Sequence, residues 1–154
     1  LMSAQDMFRL VSYLLKVYPQ ITDITSQHTA VLESLGLEVR NSNPLLRNIP
    51  QVTGLKTGTT NKAGACLVTS LAADDGAVEH DLVVVVLGAE DSIERGRVSG
   101  LLARYALQAF HAGAEGQEDA PGVTPGVTPG VTPGSLPVHA EAAVDRILRT
   151  AGKR

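Results

Sequence analysis

Gly54-Leu55-Lys56-Thr57-Gly58-Thr59-Thr60 sets an ammonium, a hydroxyl and a position without a side chain next to one another, just before a strand-like segment. A carboxylate is the natural ligand for that combination. If the run is a strand, side chains alternate faces, so Lys56 and Gly58 share one face and Thr57 and Thr59 the other, unless a twist or bulge re-aims them. Gly58 leaves room for a second backbone or a ligand to come close.

Outward from this run, the flanks read as regular elements. Ser3-Ala4-Gln5-Asp6 has the form of a capping box, and Met7, Leu10, Val11, Leu14 and Leu15 form one face of an amphipathic helix that Pro19 ends. Residues 21–50 carry turn signals, with a turn at Asn41-Ser42-Asn43-Pro44, and are expected to form short strands or a hairpin. A strand is expected from Gly64 to Ala73, a turn at Asp74-Asp75-Gly76 and a second strand from Leu82 to Leu87. The second strand is apolar on both faces, which predicts a central position covered by helices on each side. Asp91-Ser92 should cap a helix presenting Val98, Leu101, Leu102, Tyr105 and Ala109 on one face, running to Phe110 and stopping at Gly113.

Composition changes at about residue 113. Gly-Val-Thr-Pro occurs three times in tandem between Gly122 and Pro133, and a proline at every fourth position blocks both helix and ladder. Residues 113–136 therefore read as a disordered linker, with the repeat reaching about 40 Å if extended as polyproline II. Residues 137–154 recover an apolar stripe of Ala140, Ala143, Val144, Ile147, Leu148 and Ala151, a short amphipathic helix. That stripe lacks the Trp and Phe that interfacial helices favour, so a membrane surface is only a weak partner for it.

Charge and residue inventory exclude several functions. A net charge of -3, from 13 basic and 16 acidic residues, gives no electrostatic footprint for nucleic acid. The apolar run Leu82–Leu87 is far too short to span a bilayer, and no signal peptide is visible. The single cysteine, Cys66, forms no internal disulfide and is expected to be a small buried side chain. His28, His80, His111 and His139 show no metal-ligand spacing and are expected at solvated or incidental positions; no metal or other cofactor is implied. Asp74 and Asp75 lie in the turn, which leaves a paired-carboxylate mechanism unsupported.

Five ordered blocks resemble the D-alanyl-D-alanine carboxypeptidase family, the low-molecular-weight penicillin-binding serine peptidases. They are Ser3-Ala4-Gln5-Asp6-Met7, Asn41-Ser42-Asn43-Pro44-Leu45-Leu46, Gly54 to Thr60, Ala63-Gly64-Ala65-Cys66-Leu67-Val68 and Val84-Val85-Val86-Leu87-Gly88-Ala89. Lys-Thr-Gly is one of three motifs shared by penicillin-binding proteins and related β-lactamases, beside Ser-x-x-Lys and a Ser-x-Asn type element. Only the third stands here. The positions three before Lys16, Lys56, Lys62 and Lys153 hold Tyr13, Thr53, Thr59 and Thr150, and those two before Asn41, Asn43, Asn48 and Asn61 hold Val39, Asn41, Leu46 and Thr59.

The resemblance spans residues 1–112 and implies the second half of the peptidase domain. The expected fold is α/β (α+β), a partial penicillin-binding/β-lactamase-like fold with an antiparallel sheet of about three strands flanked by helices. The half bearing the nucleophile would precede Leu1, and it is an expected missing partner. In enzymes of this kind a serine attacks the terminal D-Ala-D-Ala amide of a peptidoglycan stem peptide, forms an acyl-enzyme and is trapped by β-lactams. The resemblance implies Lys56 as a catalytic residue supplying positive charge and part of the proton network. It makes Thr57 the ligand of the terminal carboxylate, Gly58 the opening for the peptide, the N–H of Thr59 one oxyanion donor, and Arg95 a carboxylate-binding arginine. A surface charge on the helix is the other reading of Arg95. Action outside the cytoplasm, at the cell envelope, is implied as well. Two alternatives stand beside a carboxypeptidase fragment: a non-catalytic wall- or partner-binding remnant, and a β-lactamase-related acyl-serine hydrolase. Without its upstream half the chain is expected to fold poorly or to self-associate, because Leu82–Leu87 would present an unpaired apolar edge.

Overall fold

The computed structural model describes residues 2–74, 76 and 79–115. The expected linker beyond residue 115 and the expected helix at 137–154 lie outside them. The first helix, α1, is Ala4–Val17, and Ser3 caps it. Ser3 Oγ accepts the N–H of Asp6 at 3.1 Å, while Asp6 Oδ2 accepts the N–H of Ser3 at 3.0 Å. These are the reciprocal bonds that the sequence pattern implies. Donation by the Ser3 backbone N–H, and then by its hydroxyl, holds the Asp6 carboxyl below its ordinary range. At the other end the Tyr18 N–H reaches Leu14 O at 2.8 Å, and Pro19 follows. Ala4, Val11 and Leu15 are buried, whereas Leu10, expected on the same face, is 52% exposed. The buried stripe is narrower than the apolar pattern, so α1 keeps a second apolar side, Leu10, Tyr13 and Val17, in solvent.

Residues 21–50 hold more than the expected hairpin. A short helix, α2 (Ile21–Thr25), comes first, then the antiparallel pair β1 (Thr29–Leu32) and β2 (Leu37–Arg40), with Thr29 opposite Arg40. A 3-10 turn at Glu33–Leu35 joins the pair and ends on Gly36 at φ 59°. A second 3-10 turn, Pro44–Arg47, is capped by Asn43, whose Oδ1 accepts the Leu45 N–H at 3.0 Å. Sequence missed α2 because five residues carry too little periodicity to register; tertiary bonds hold it, among them Thr25 Oγ1 donating to Thr53 O at 2.8 Å.

Three longer strands, β3 (Val52–Thr60), β4 (Gly64–Asp74) and β5 (Glu79–Ala89), form an antiparallel sheet in the order β3-β4-β5. A long helix, α3 (Ser92–Glu115), covers one face. Leu67, Leu71, Leu82, Val84 and Val86 pack there against Val98, Ala103, Ala106 and Phe110. On the opposite face Val68 and Val85 meet Ala4, Val11 and Leu15 of α1, with Val83 and Leu87 alongside. Full burial of each Leu, Val or Phe among them is worth about 1.5–3 kcal/mol. The expected cover on both faces of Leu82–Leu87 is present, but the central place is not: β4 lies in the middle and β5 at an edge. Helices bury the faces of a strand whether or not it has two ladder neighbours, so apolarity alone could not tell the two positions apart.

Two readings of α3 also change. Asp91 Oδ1 accepts the N–H groups of Ile93 and Glu94, both at 2.8 Å, so the expected start holds. The helix then passes Gly113 and reaches Glu115, since an interior glycine costs only about 1 kcal/mol against alanine. Leu101 points outward at 51% exposure, because small residues, Ser99, Ala103 and Ala106, define the inner face together with Val98 and Phe110. Gly96 and Gly100 keep α3 close to the Pro44–Arg47 turn: a Cβ at either would stand 3.2 Å from Pro44 Cγ or 3.4 Å from Leu45 Cδ2.

Candidate functional site

The strand β3 opens with a register shift between Val52 and Gly54. Gly54 has φ 133°, and a Cβ there would lie 2.2 Å from Thr25 Oγ1, so both the conformation and the space demand glycine. After this bulge the ladder is regular: Lys56 faces Val68, Thr57 faces Leu67, Gly58 faces Cys66 and Thr59 faces Ala65. The alternation expected for the motif is therefore kept. Lys56 and Thr57 point to opposite faces of the sheet. Lys56 is exposed and its Nζ donates to Thr57 O. A Cβ on Gly58 would meet nothing within 4 Å, and Gly58 and Thr59 are both exposed.

Thr57 is half-buried and its Oγ1 lies 2.5 Å from Ser42 Oγ. Sequence reading took residues 41–44 for a turn and saw no functional side chain there. The signal that could have found them is the pair of asparagines, each able to hold backbone on two sides. Asn41 Nδ2 donates to Thr25 O at 2.9 Å and Gln27 O at 3.1 Å, and Asn41 Oδ1 accepts the Asn43 N–H at 3.0 Å. Asn43 is buried, and its Nδ2 donates to Thr69 Oγ1 at 3.1 Å. Thr69 Oγ1 in turn donates to Gly54 O, which fastens the loop to the bulge.

Arg95 stands in the first turn of α3 and is buried, at 7% exposure. Its backbone N–H reaches Asp91 O at 3.0 Å, and its Nε has no partner among the described residues. The surface-charge reading of Arg95 is thereby corrected: packing of α3 on the sheet takes this side chain inside. Nearby Arg97 is spoken for, since its Nε and Nη2 both donate to the Glu94 carboxylate at 2.8 Å. That pairing lowers Glu94 and raises Arg97. Among the described residues no hydrogen bond or ion pair joins Arg95 to Lys56–Thr59, so β3 gathers four of the five expected residues and Arg95 stands apart.

Two smaller expectations are corrected. Cys66 is half-buried, its Sγ 3.4 Å from Ala63 O, because it sits near the strand's open end opposite Gly58. His80 is buried on the α3 side with its ring 5.1 Å from that of Phe110, while His28 and His111 are exposed and His139 lies outside the described residues. No helix among the described residues is long and apolar enough to cross a membrane.

The D-alanyl-D-alanine carboxypeptidase family profile matches residues 1–91. Penicillin-binding protein D2 from Listeria monocytogenes, in its cefotaxime-bound form, is similar with a TM-score of 0.51 and 26% identity over 71% of this chain and 38% of that one. Its ampicillin-bound form gives 0.52 and 25% identity over 71% and 39%. The D-alanyl-D-alanine carboxypeptidase DacD from Francisella tularensis is 42% identical over 46% of this chain and 16% of its own, with a TM-score of 0.40. No curated protein sequence matches. The chain thus spans about two fifths of the length of the penicillin-binding protein it resembles. With residues 1–91 of 154 inside the profile, the chain belongs to the D-alanyl-D-alanine carboxypeptidase family.

Proposed function

We propose that this chain supplies one wall of a serine-type carboxypeptidase site acting on the D-Ala-D-Ala end of peptidoglycan stem peptides at the cell envelope. The observation that carries the reading is the run Lys56–Thr59 on β3, with Lys56, Gly58 and Thr59 exposed, open space over Gly58 and the half-buried Thr57 on the other face, in a chain of this family. Thr57 holds the terminal carboxylate, and Gly58 lets the peptide lie against the strand. Lys56 places a positive charge beside the reacting groups and helps to move a proton. The N–H of Thr59 is one of two oxyanion donors, and losing such a donor typically costs about 10²- to 10³-fold in rate. Arg95, buried in the first turn of α3, stays outside this wall.

The chemistry is acyl transfer. A serine hydroxyl adds to the penultimate carbonyl, its proton passes to the leaving D-Ala amine, and water then hydrolyses the ester. That serine belongs to a Ser-x-x-Lys motif outside this sequence, so the chain alone forms no acyl intermediate. β-Lactams, which the Listeria protein holds in its two structures, are ligands of the completed site.

Fluorescent penicillin tests the reading. No covalent label is expected on this chain by itself; label is expected once the nucleophile-bearing segment is joined to it or supplied in trans, and is lost again in Lys56→Ala. Label on the chain alone would refute the missing nucleophile. A completed site that stays unlabelled would make the chain a non-catalytic remnant instead.

A further inference from the structure

Residues 41–43 alternate in direction. Asn41 and Asn43 turn back into the fold and spend their amides on Thr25 O, Gln27 O, Thr69 Oγ1 and the backbone N–H groups of Asn43 and Leu45. Ser42, between them, is exposed, and the partner of its hydroxyl is Thr57 Oγ1 at 2.5 Å. The loop is tied to α2, to β4 and, through Thr69, to the bulge of β3, so the Ser42 backbone is fixed relative to Thr57 without any help from the Ser42 side chain.

A bond between two exposed hydroxyls adds little stability, since water would satisfy both. Its consequence is direction. A hydroxyl has one proton to give. If Thr57 donated to Ser42, it would turn lone pairs toward an approaching carboxylate, which only accepts. If Ser42 donates to Thr57 Oγ1, the Thr57 proton is left to point outward. With a carboxylate present the order is therefore Ser42 O–H to Thr57 Oγ1, then Thr57 O–H to the carboxylate oxygen, and each bond polarises the next.

The geometry points to Ser42 as a positioning residue. It holds the Thr57 rotamer and sets its hydroxyl as a donor to the terminal carboxylate of a D-Ala-D-Ala peptide, without touching that peptide itself. This assignment rests on the reading of Thr57 as carboxylate ligand.

The test uses the full chain in solution, with three-bond scalar couplings reporting the Thr57 χ1 rotamer and amide shifts at Thr57 and Gly58 following N-acetyl-D-Ala-D-Ala. The wild-type chain is expected to show a single Thr57 rotamer. Ser42→Ala should average it and weaken the dipeptide about fivefold, leaving the unfolding midpoint unchanged because the asparagine bonds persist. Ser42→Thr, which keeps the hydroxyl, should restore both. An unchanged single rotamer in Ser42→Ala, or a failure of Ser42→Thr to restore it, would overturn the role of Ser42. A wild-type chain whose amides ignore the dipeptide strikes instead at Thr57 as carboxylate ligand, and the couplings still decide what Ser42 does.

Discussion

The two outer strands of the sheet are built on opposite plans. β3 enters through a bulge at Gly54 and then shows water Lys56, Gly58, Thr59 and Thr60, with Thr57 half-buried. β5 runs apolar from Leu82 to Leu87, with α1 on one face and α3 on the other, and its register shifts only near Gly88. Edges that face water in natural sheets are blunted by charges, bulges and polar side chains. By that measure β3 is an edge protected in water, whereas the Leu82–Leu87 stretch of β5 carries none of these protections. Among the described residues its only ladder partner is β4. The helix above it adds to the impression, since α1 leaves Leu10, Tyr13 and Val17 in water.

The two glycines of β3 should respond very differently to a methyl group. Gly54→Ala should cost about 2–5 kcal/mol, the sum of a strained left-handed backbone and an overpacked contact with Thr25. Gly58→Ala meets nothing within 4 Å and should stay within about 0.5 kcal/mol in stability. Urea unfolding of both variants checks this. Equal losses would mean that the bulge is no anchor and that β3 is uniform along its length.

A smaller effect is expected at the other edge. If β5 is unfinished, the chain should associate with itself in a concentration-dependent way, as seen by sedimentation. Val83→Lys, placing a charge on the half-buried middle of that strand, should weaken association about tenfold, or roughly 1.4 kcal/mol. Far-UV circular dichroism establishes that the fold survives the change. A wild-type chain that sediments as a monomer at every concentration would show that β5 is already satisfied, and the contrast between the edges would fall.

What the sequence disclosed follows the same division. The capped starts of α1 and α3 were legible because Ser3, Asp6 and Asp91 bond within three residues of themselves. The strands β4 and β5 were legible from their apolar runs. Ladder order was not, because which strand has two neighbours depends on partners distant in sequence. Lys56–Thr59 could be read as a candidate site from residue types alone. Ser42 could not: its meaning comes from a contact fifteen positions away that the Asn41 and Asn43 bonds create. Arg95 was placed on the right helix but with its burial undecided, since the small residues that bring α3 close, Gly96 and Gly100, look like weak helix formers until their neighbours are known.

The smallest effect separates the two edges by pH. The folded Asp6 carboxyl titrates below its unfolded value because the Ser3 N–H and hydroxyl donate to the ionised form. A depressed carboxyl contributes stability above the unfolded value, about 3.9, and loses it as pH falls through the lower folded one. Acid should therefore fray the first turn of α1 and loosen the cover over Val85, while the bonds that hold the β3 bulge, made by Asn43, Thr69 and Thr25, contain no group that titrates there. Hydrogen exchange between pH 6 and pH 3 should show protection lost earlier at Met7 and Phe8 than at Leu55 and Lys56. In Asp6→Asn that difference should vanish, because the asparagine amide keeps its form across the range. Because Asp6 is fully exposed, the change should be slight and should shrink with added salt. Equal loss of protection on both strands would mean that acid acts through a shared core, and that the cap on α1 does not govern the β5 side alone.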